Sequence, residues 1–203
     1  MLAQLRPALV LVVLFTALTG LALPLGFSAV AEAVFPFQAG GSLIERDGKV
    51  VGSALIGQTF ADDKYFQGRL SATTDTDPAD STKTVPAPYN AGNSGASNTG
   101  PTSKALVDRV TADVAKAGAT PVPGDMLTTS ASGLDPHISP AFAERQVPRV
   151  ATARGLPVER VQTLLAEHTE GRLAGIIGEP RVNVLQLNLA LDTMKSMSVD
   201  SRK

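Results

Sequence analysis

Two short stretches carry residue types that could do chemistry. In Gly95-Ala96-Ser97-Asn98-Thr99-Gly100-Pro101-Thr102 the two glycines are spaced as in a phosphate-binding G-x-x-x-x-G-K-[ST] loop. A helix after such a loop offers backbone N–H groups to an anion. Pro101, however, stands where Lys would meet the terminal phosphates, and it has no N–H. The plainer reading is a glycine-rich turn leading into a capped helix; the looser reading, that these backbone groups hold some ligand or partner, stays open. The second stretch, Asp135-Pro136-His137, suits acid–base or metal chemistry in its residue types. The other histidine, His168, sits in Glu167-His168-Thr169-Glu170, and no H-x-x-x-H spacing exists. One His beside one Asp more often caps a helix or meets a local carbonyl, and a helix end at His168, where the dipole favours His, accounts for the other.

Other chemistries are excluded by absence from the sequence. There is no G-x-S-x-G elbow, no Asp-Lys-Thr-Gly-Thr phosphorylation sequence and no Thr-Val-Gly-Tyr-Gly filter. Cysteine is missing, so thiolate nucleophiles and Cys-ligated zinc are impossible. No catalytic residue and no metal ligand is assigned, and an accessory or interaction role follows by elimination. The net charge of -1, the lack of Trp and the few Phe and Tyr argue against nucleic acid.

The elements that must position these stretches begin with an uncharged run from Pro7 to Ala31. As a helix it is about 37 Å long, against a hydrocarbon core of about 30 Å. It reads as a transmembrane anchor, residues 1–31, with Pro24 ending or kinking it near the far interface. The competing reading is a cleaved signal peptide, for which Ala29-Val30-Ala31 is an acceptable site. Against it stand the length of the run and an n-region with Arg6 alone. Arg6 before the span and Glu32 after it place the N-terminus in the cytoplasm and residues 32–203 outside.

That soluble part is large enough for one domain. Residues 43–58 read as a hairpin turning at Asp47-Gly48, a pair suited to a type I′ turn. Gly52 and Gly57 interrupt its second strand and mark bulges or close backbone contacts. Residues 71–100 are mostly Ser, Thr, Asp, Asn, Gly and Pro and read as a long polar loop. A helix follows, capped by Asn98 or Thr99, with Pro101 in its first turn, Leu106, Val110 and Val114 on one face and Gly118 at its end. Residues 119–138 are turn-rich. A second helix runs from Ser139-Pro140 towards Gly155, kinked or divided by Pro148, and a third from Pro157 to His168. Arg181 to Leu185 alternates as a strand; residues 186–195 could continue the alternation or turn helical, and a short strand followed by a helix is the preferred reading. The fold class is α+β: one N-terminal transmembrane helix, then a mixed α/β soluble domain with a small sheet and about three helices.

Several runs then resemble the C subunit family (KdpC) of the Kdp-type potassium-transporting P-type ATPases, over nearly the whole chain. They are Arg6-Pro7-Ala8, Thr19-Gly20 and Pro24-Leu25 in the anchor, then Val51-Gly52-Ser53, Leu55-Ile56-Gly57-Gln58, Tyr65-Phe66 and Gly68-Arg69. Tyr89-Asn90 and Ser94-Gly95 through Gly100-Pro101-Thr102 follow. The most specific are Ser132 to Pro140, His168-Thr169-Glu170-Gly171-Arg172 and Gly178-Glu179-Pro180-Arg181-Val182-Asn183-Val184. Leu70, Ala96 and Thr99 depart locally from the family pattern.

The resemblance implies a bacterial inner-membrane complex. Its other members are a potassium-conducting subunit, a P-type ATP-hydrolysing subunit and a very small accessory peptide, with lipid around the anchor. Potassium is transported by the complex and is not bound by this chain. The resemblance also implies a catalytic chaperone that raises the ATP affinity of the hydrolysing subunit. Its nucleotide contacts would be Gln58 and Gly57, in a stretch likened to the ABC-transporter signature, with Gly95 and Gly100. The alternative is a purely structural subunit that covers the external potassium entrance without touching nucleotide. The two conflict physically: an external domain cannot reach cytoplasmic ATP, and any chaperone effect would then act through the anchor. A stand-alone secreted hydrolase, the third class, lacks a competent site.

Overall fold

In the computed structural model, which describes residues 2–118 and 121–200, the apolar N-terminal run is one continuous helix, Leu5–Val34. Its thirty residues correspond to about 45 Å, enough to cross a bilayer with tilt. It has three parts: α1 (Leu5–Ala17), a π-turn (Leu18–Ala22) and α2 (Leu23–Val34). Pro24 was expected to end or kink the helix and does not end it. The π-turn just before it lets the Leu23 N–H reach the Leu18 carbonyl, one residue further back than in an α-helix. The widened turn accommodates a residue that cannot donate. Thr19 Oγ1 donates to the Phe15 carbonyl (2.7 Å), satisfying its hydroxyl within the helix. Ala29-Val30-Ala31 lies within α2.

A short turn of helix, α3 (Pro36–Ala39), leads to a hairpin of β1 (Leu43–Arg46) and β2 (Lys49–Ser53). Asp47 and Gly48 both have positive φ, 52° and 73°, as the Asp-Gly turn requires. The register shifts between Ile44 and Glu45, a bulge beside Gly52. Strand β2 ends at Ser53, whose Oγ donates to the Gly41 carbonyl (2.8 Å). The anchor and this hairpin form one compact unit, Met1–Ser53; the rest forms a second, Ala54–Lys203.

In the second unit the core lies between three helices and a small sheet. Helix α6 (Pro140–Arg154) buries Phe142, Ala143, Val147, Val150 and Ala151 along one stripe, and α7 (Val158–Glu167) buries Val161, Leu164 and Leu165. Leu187 and Leu191 of α8 (Val184–Asp200) are fully buried against them, with Phe66. Ser139 caps α6, its Oγ accepting from the Phe142 N–H, and Gly155 closes it in the left-handed region. Pro148 does not divide α6, which runs unbroken through it. The sheet is antiparallel, in the order β5 (His137–Ile138), β7 (Arg181–Asn183), β6 (Thr169–Glu170). β7 runs directly into α8, the preferred of the two readings of this segment.

Two further expectations are corrected. Residues 71–100 are not loop throughout: β3 (Thr74–Asp77) pairs with β4 (Asp80–Pro86). The β-branched Thr74, Thr76, Thr82, Thr84 and Val85 favour extended backbone, and Asp77 Oδ1 accepts from the Ala79 N–H (2.8 Å) to hold the turn. Polar composition hid a hairpin. The next helix, α4 (Lys104–Ala117), starts later than Asn98 or Thr99 would cap it. Ser103 occupies the N-cap position and Pro101 sits in the turn before it. Gly118 ends α4 in the left-handed conformation, as expected (φ 69°). Within the turn-rich segment after it, Gly124–Leu127 makes one short helix, α5, and residues 119 and 120 lie outside the described residues.

Candidate functional site

The strip Ser130–His137 is where the sequence-derived candidates meet. The Gly57 N–H donates to the Leu134 carbonyl (2.8 Å) and the Gly95 N–H to the Ser132 carbonyl (3.0 Å). Ser71 Oγ donates to the Gly133 carbonyl (2.8 Å), and Gly133 itself is held at φ 68°. Two glycines distant in sequence are therefore fastened to one strip. Gln58, half-buried, follows Gly57. Gly100 lies apart, exposed, its carbonyl accepting from the Ser103 N–H (3.0 Å). The structure thus joins Gly57 and Gly95 but does not build the loop-plus-helix cradle that the spacing of Gly95 and Gly100 offered, because α4 starts only at Lys104.

Tyr89 explains why glycine is needed here. Its ring lies against Gly57 and its hydroxyl against Gly68, so a Cβ at either position would collide with it. A Cβ at Gly57 would also come within 2.8 Å of the Asp135 carbonyl oxygen. The Tyr89 hydroxyl donates to the Arg69 carbonyl (2.6 Å), and burial pushes its pKa up to about 12. The phenol is a neutral donor at any physiological pH.

Arg69 and Asp135 form the charged pair of the site. Arg69 Nη1 donates to Asp135 Oδ2 (3.1 Å) and Nη2 to the Thr129 carbonyl (3.3 Å). Burial raises the Asp135 pKa, but hydrogen bonds from His137 and Arg69, with the guanidinium charge, outweigh it and hold the carboxyl down at about 2. Asp135 Oδ1 accepts the His137 backbone N–H (3.0 Å), closing the turn that starts β5. The pair lines an open depression of about 550 Å³ with Leu55, Ile56, Ser132 and Leu134. The guanidinium charge is already paired with a carboxylate, which weakens its pull on any further anion.

His168 behaves as a helix-end residue. It caps α7, and its Nδ1 lies 2.9 Å from the Leu164 carbonyl oxygen. Glu170 pairs with Arg181 (2.9 Å). Among the described residues no group of three His, Asp or Glu is placed to hold a metal. Tyr89 and Arg69 were given no chemical role by the sequence. Both fall in runs that resemble the family, Gly68-Arg69 and Tyr89-Asn90, but their roles arise from contacts across twenty or more residues of chain.

The sequence profile of the family described as "K+-transporting ATPase, c chain" matches residues 5–193. The chain is 63% identical over 199 residues to the potassium-transporting ATPase KdpC subunit of Rhodopseudomonas palustris (strain BisB18), covering 96% of this chain and 100% of that one. It is 64% identical over 196 residues to the KdpC subunit of Bradyrhizobium diazoefficiens, covering 95% and 98%. With that of Methylobacterium nodulans it shares 62% over 198 residues, covering 96% and 98%. An apolar N-terminal helix, an α+β domain and near full-length identity to these subunits lead to one conclusion: the chain belongs to the KdpC family, the c chains of potassium-transporting ATPases.

Proposed function

We propose that the chain is a non-catalytic accessory subunit of an ATP-driven potassium uptake complex, anchored once in the bacterial inner membrane. Residues 1–31 form the anchor with the N-terminus in the cytoplasm, and residues 32–203 lie outside and cover the external potassium entrance. Its partners are the potassium-conducting subunit, the P-type ATP-hydrolysing subunit and the small accessory peptide. The observation that favours an interaction role over direct nucleotide contact is the engagement of the Gly57 and Gly95 amides by the Leu134 and Ser132 carbonyls. Those N–H groups are the donors a phosphate would need.

A second reading keeps the catalytic chaperone, with Gln58, Gly57, Gly95 and Gly100 meeting ATP and raising its affinity for the hydrolysing subunit. The convergence of Gly57 and Gly95 on one strip favours it. The two readings put the domain on opposite sides of the membrane if contact is direct. Ser97→Cys in this cysteine-free chain is the test. Labelling of intact spheroplasts by a membrane-impermeant maleimide is expected. Labelling confined to inverted vesicles would remove the external reading and restore direct ATP contact.

A further inference from the structure

The connection between β6 and β7 keeps its largest side chains out of the core. Leu173 is 72% exposed, Ile176 78% and Ile177 60%. Each large aliphatic left in water forgoes the gain of burial, and here three cluster on one five-residue tip. The tip is nevertheless built. Leu173 and Ile177 exchange backbone hydrogen bonds (2.9 and 3.0 Å), and the Gly175 N–H donates to the Arg172 carbonyl (3.0 Å). Ala174 is held at φ 51°, a conformation costly for a residue with a Cβ. Below the tip two ion pairs brace the stem, Arg172 to Glu179 (2.7 Å) and Arg181 to Glu170 (2.9 Å). These are the charged residues of 170–181, and they cancel.

We propose that Leu173, Ile176 and Ile177 form a preorganised docking knob that enters an uncharged, apolar recess on another subunit of the potassium-transporting complex. The charge balance selects this occupant. A tip made for an anionic lipid surface needs unpaired Lys or Arg around its apolar residues, whereas here each Arg is matched by a Glu. A rigid tip also enters a protein recess with little ordering cost. The inference rests on the interaction-subunit reading and deepens it by naming the surface.

The test uses the full complex. Ile176→Cys carrying a benzophenone maleimide is irradiated in purified complex in nanodiscs. An adduct between this chain and another subunit is expected. Adducts with lipid alone, with a second copy of this chain, or with nothing would overturn the knob. In parallel, the double variant Leu173→Asp, Ile176→Asp is expected to co-purify with the other subunits about tenfold less than wild type, with an unchanged melting temperature because both side chains are exposed. Full recovery of complex with that variant would overturn the knob while leaving an anchor-based interaction role standing. Failure of the wild-type chain itself to co-purify would remove the interaction reading and the knob with it.

Discussion

At the scale of single residues, the most informative groups are those whose environment changes their chemistry. Asp135 is held ionised by His137 and Arg69 against the cost of burial, with a pKa of about 2 in the folded chain. Its folded value lies below the ordinary 3.8. Its contribution is therefore complete above that ordinary value and is lost as pH falls from there through about 2. The melting temperature of the wild-type chain in detergent should fall more steeply across that acid window than that of Asp135→Asn. The variant should be less stable by about 1 kcal/mol at neutral pH, since the pair is partly solvated. Equal acid sensitivity in the two would show that Asp135 is not the linked group. Gly57, read from sequence as a bulge or close contact and through resemblance as a nucleotide contact, is the close contact: Tyr89 leaves no room for a Cβ. The hairpin read over residues 43–58 ends at Ser53, so Gly57 lies beyond its second strand; that Tyr89 is the neighbour was not legible, because the two lie far apart in sequence.

At the scale of elements, the segment 63–69, a turn followed by irregular chain, is held without strand partners. Asn188 Oδ1 accepts the Phe66 N–H and its Nδ2 donates to the Phe66 carbonyl (both 2.9 Å), replacing a neighbouring strand. Gln146 does the same for Gln67, at 2.8 and 3.0 Å. Arg149 donates to the Asp63 and Tyr65 carbonyls, and Arg154 to that of Lys64. Arg154 is 2% exposed in its side chain, pairs with Asp192 (2.9 Å) and lies over the Tyr65 ring. Polar side chains from α6 and α8 thus meet the backbone requirement that secondary structure usually meets. Replacing Asn188 by Ala leaves a buried N–H and C=O unpaired and should cost about 3 kcal/mol, read as a shift in the chemical denaturation midpoint. A loss below about 0.5 kcal/mol would mean that the segment is held by apolar packing of Phe66 alone. Sequence patterning marked α6 and α7 through their periodicity, caps and glycines. It could not mark this segment, whose order depends on side chains more than seventy residues away.

At the scale of the whole molecule, the apolar helix Leu5–Val34 governs where the chain resides. Its side chains are exposed along its length, the state expected of a surface meant for lipid or for other membrane helices. The full chain should remain in the membrane pellet through alkaline carbonate extraction, and a variant lacking residues 2–34 should move to the supernatant. Recovery of the full chain in the supernatant would remove the anchor. The sequence alone determined this helix, the Asp-Gly turn, the capped helix α6, the one-faced helix α7 and the family, because each is written in neighbouring residues: uncharged length, turn chemistry, a cap at a fixed offset, apolar spacing, contiguous motifs. A π-turn, a local adjustment, carries the helix past Pro24; the tertiary structure alone decided that Gly57 and Gly95 share the 132–134 strip. It also decided that Asn188 and Gln146 stand in for a missing strand and that an aliphatic tip is left facing outward. Those outcomes depend on which distant groups meet, and local sequence does not encode that pairing.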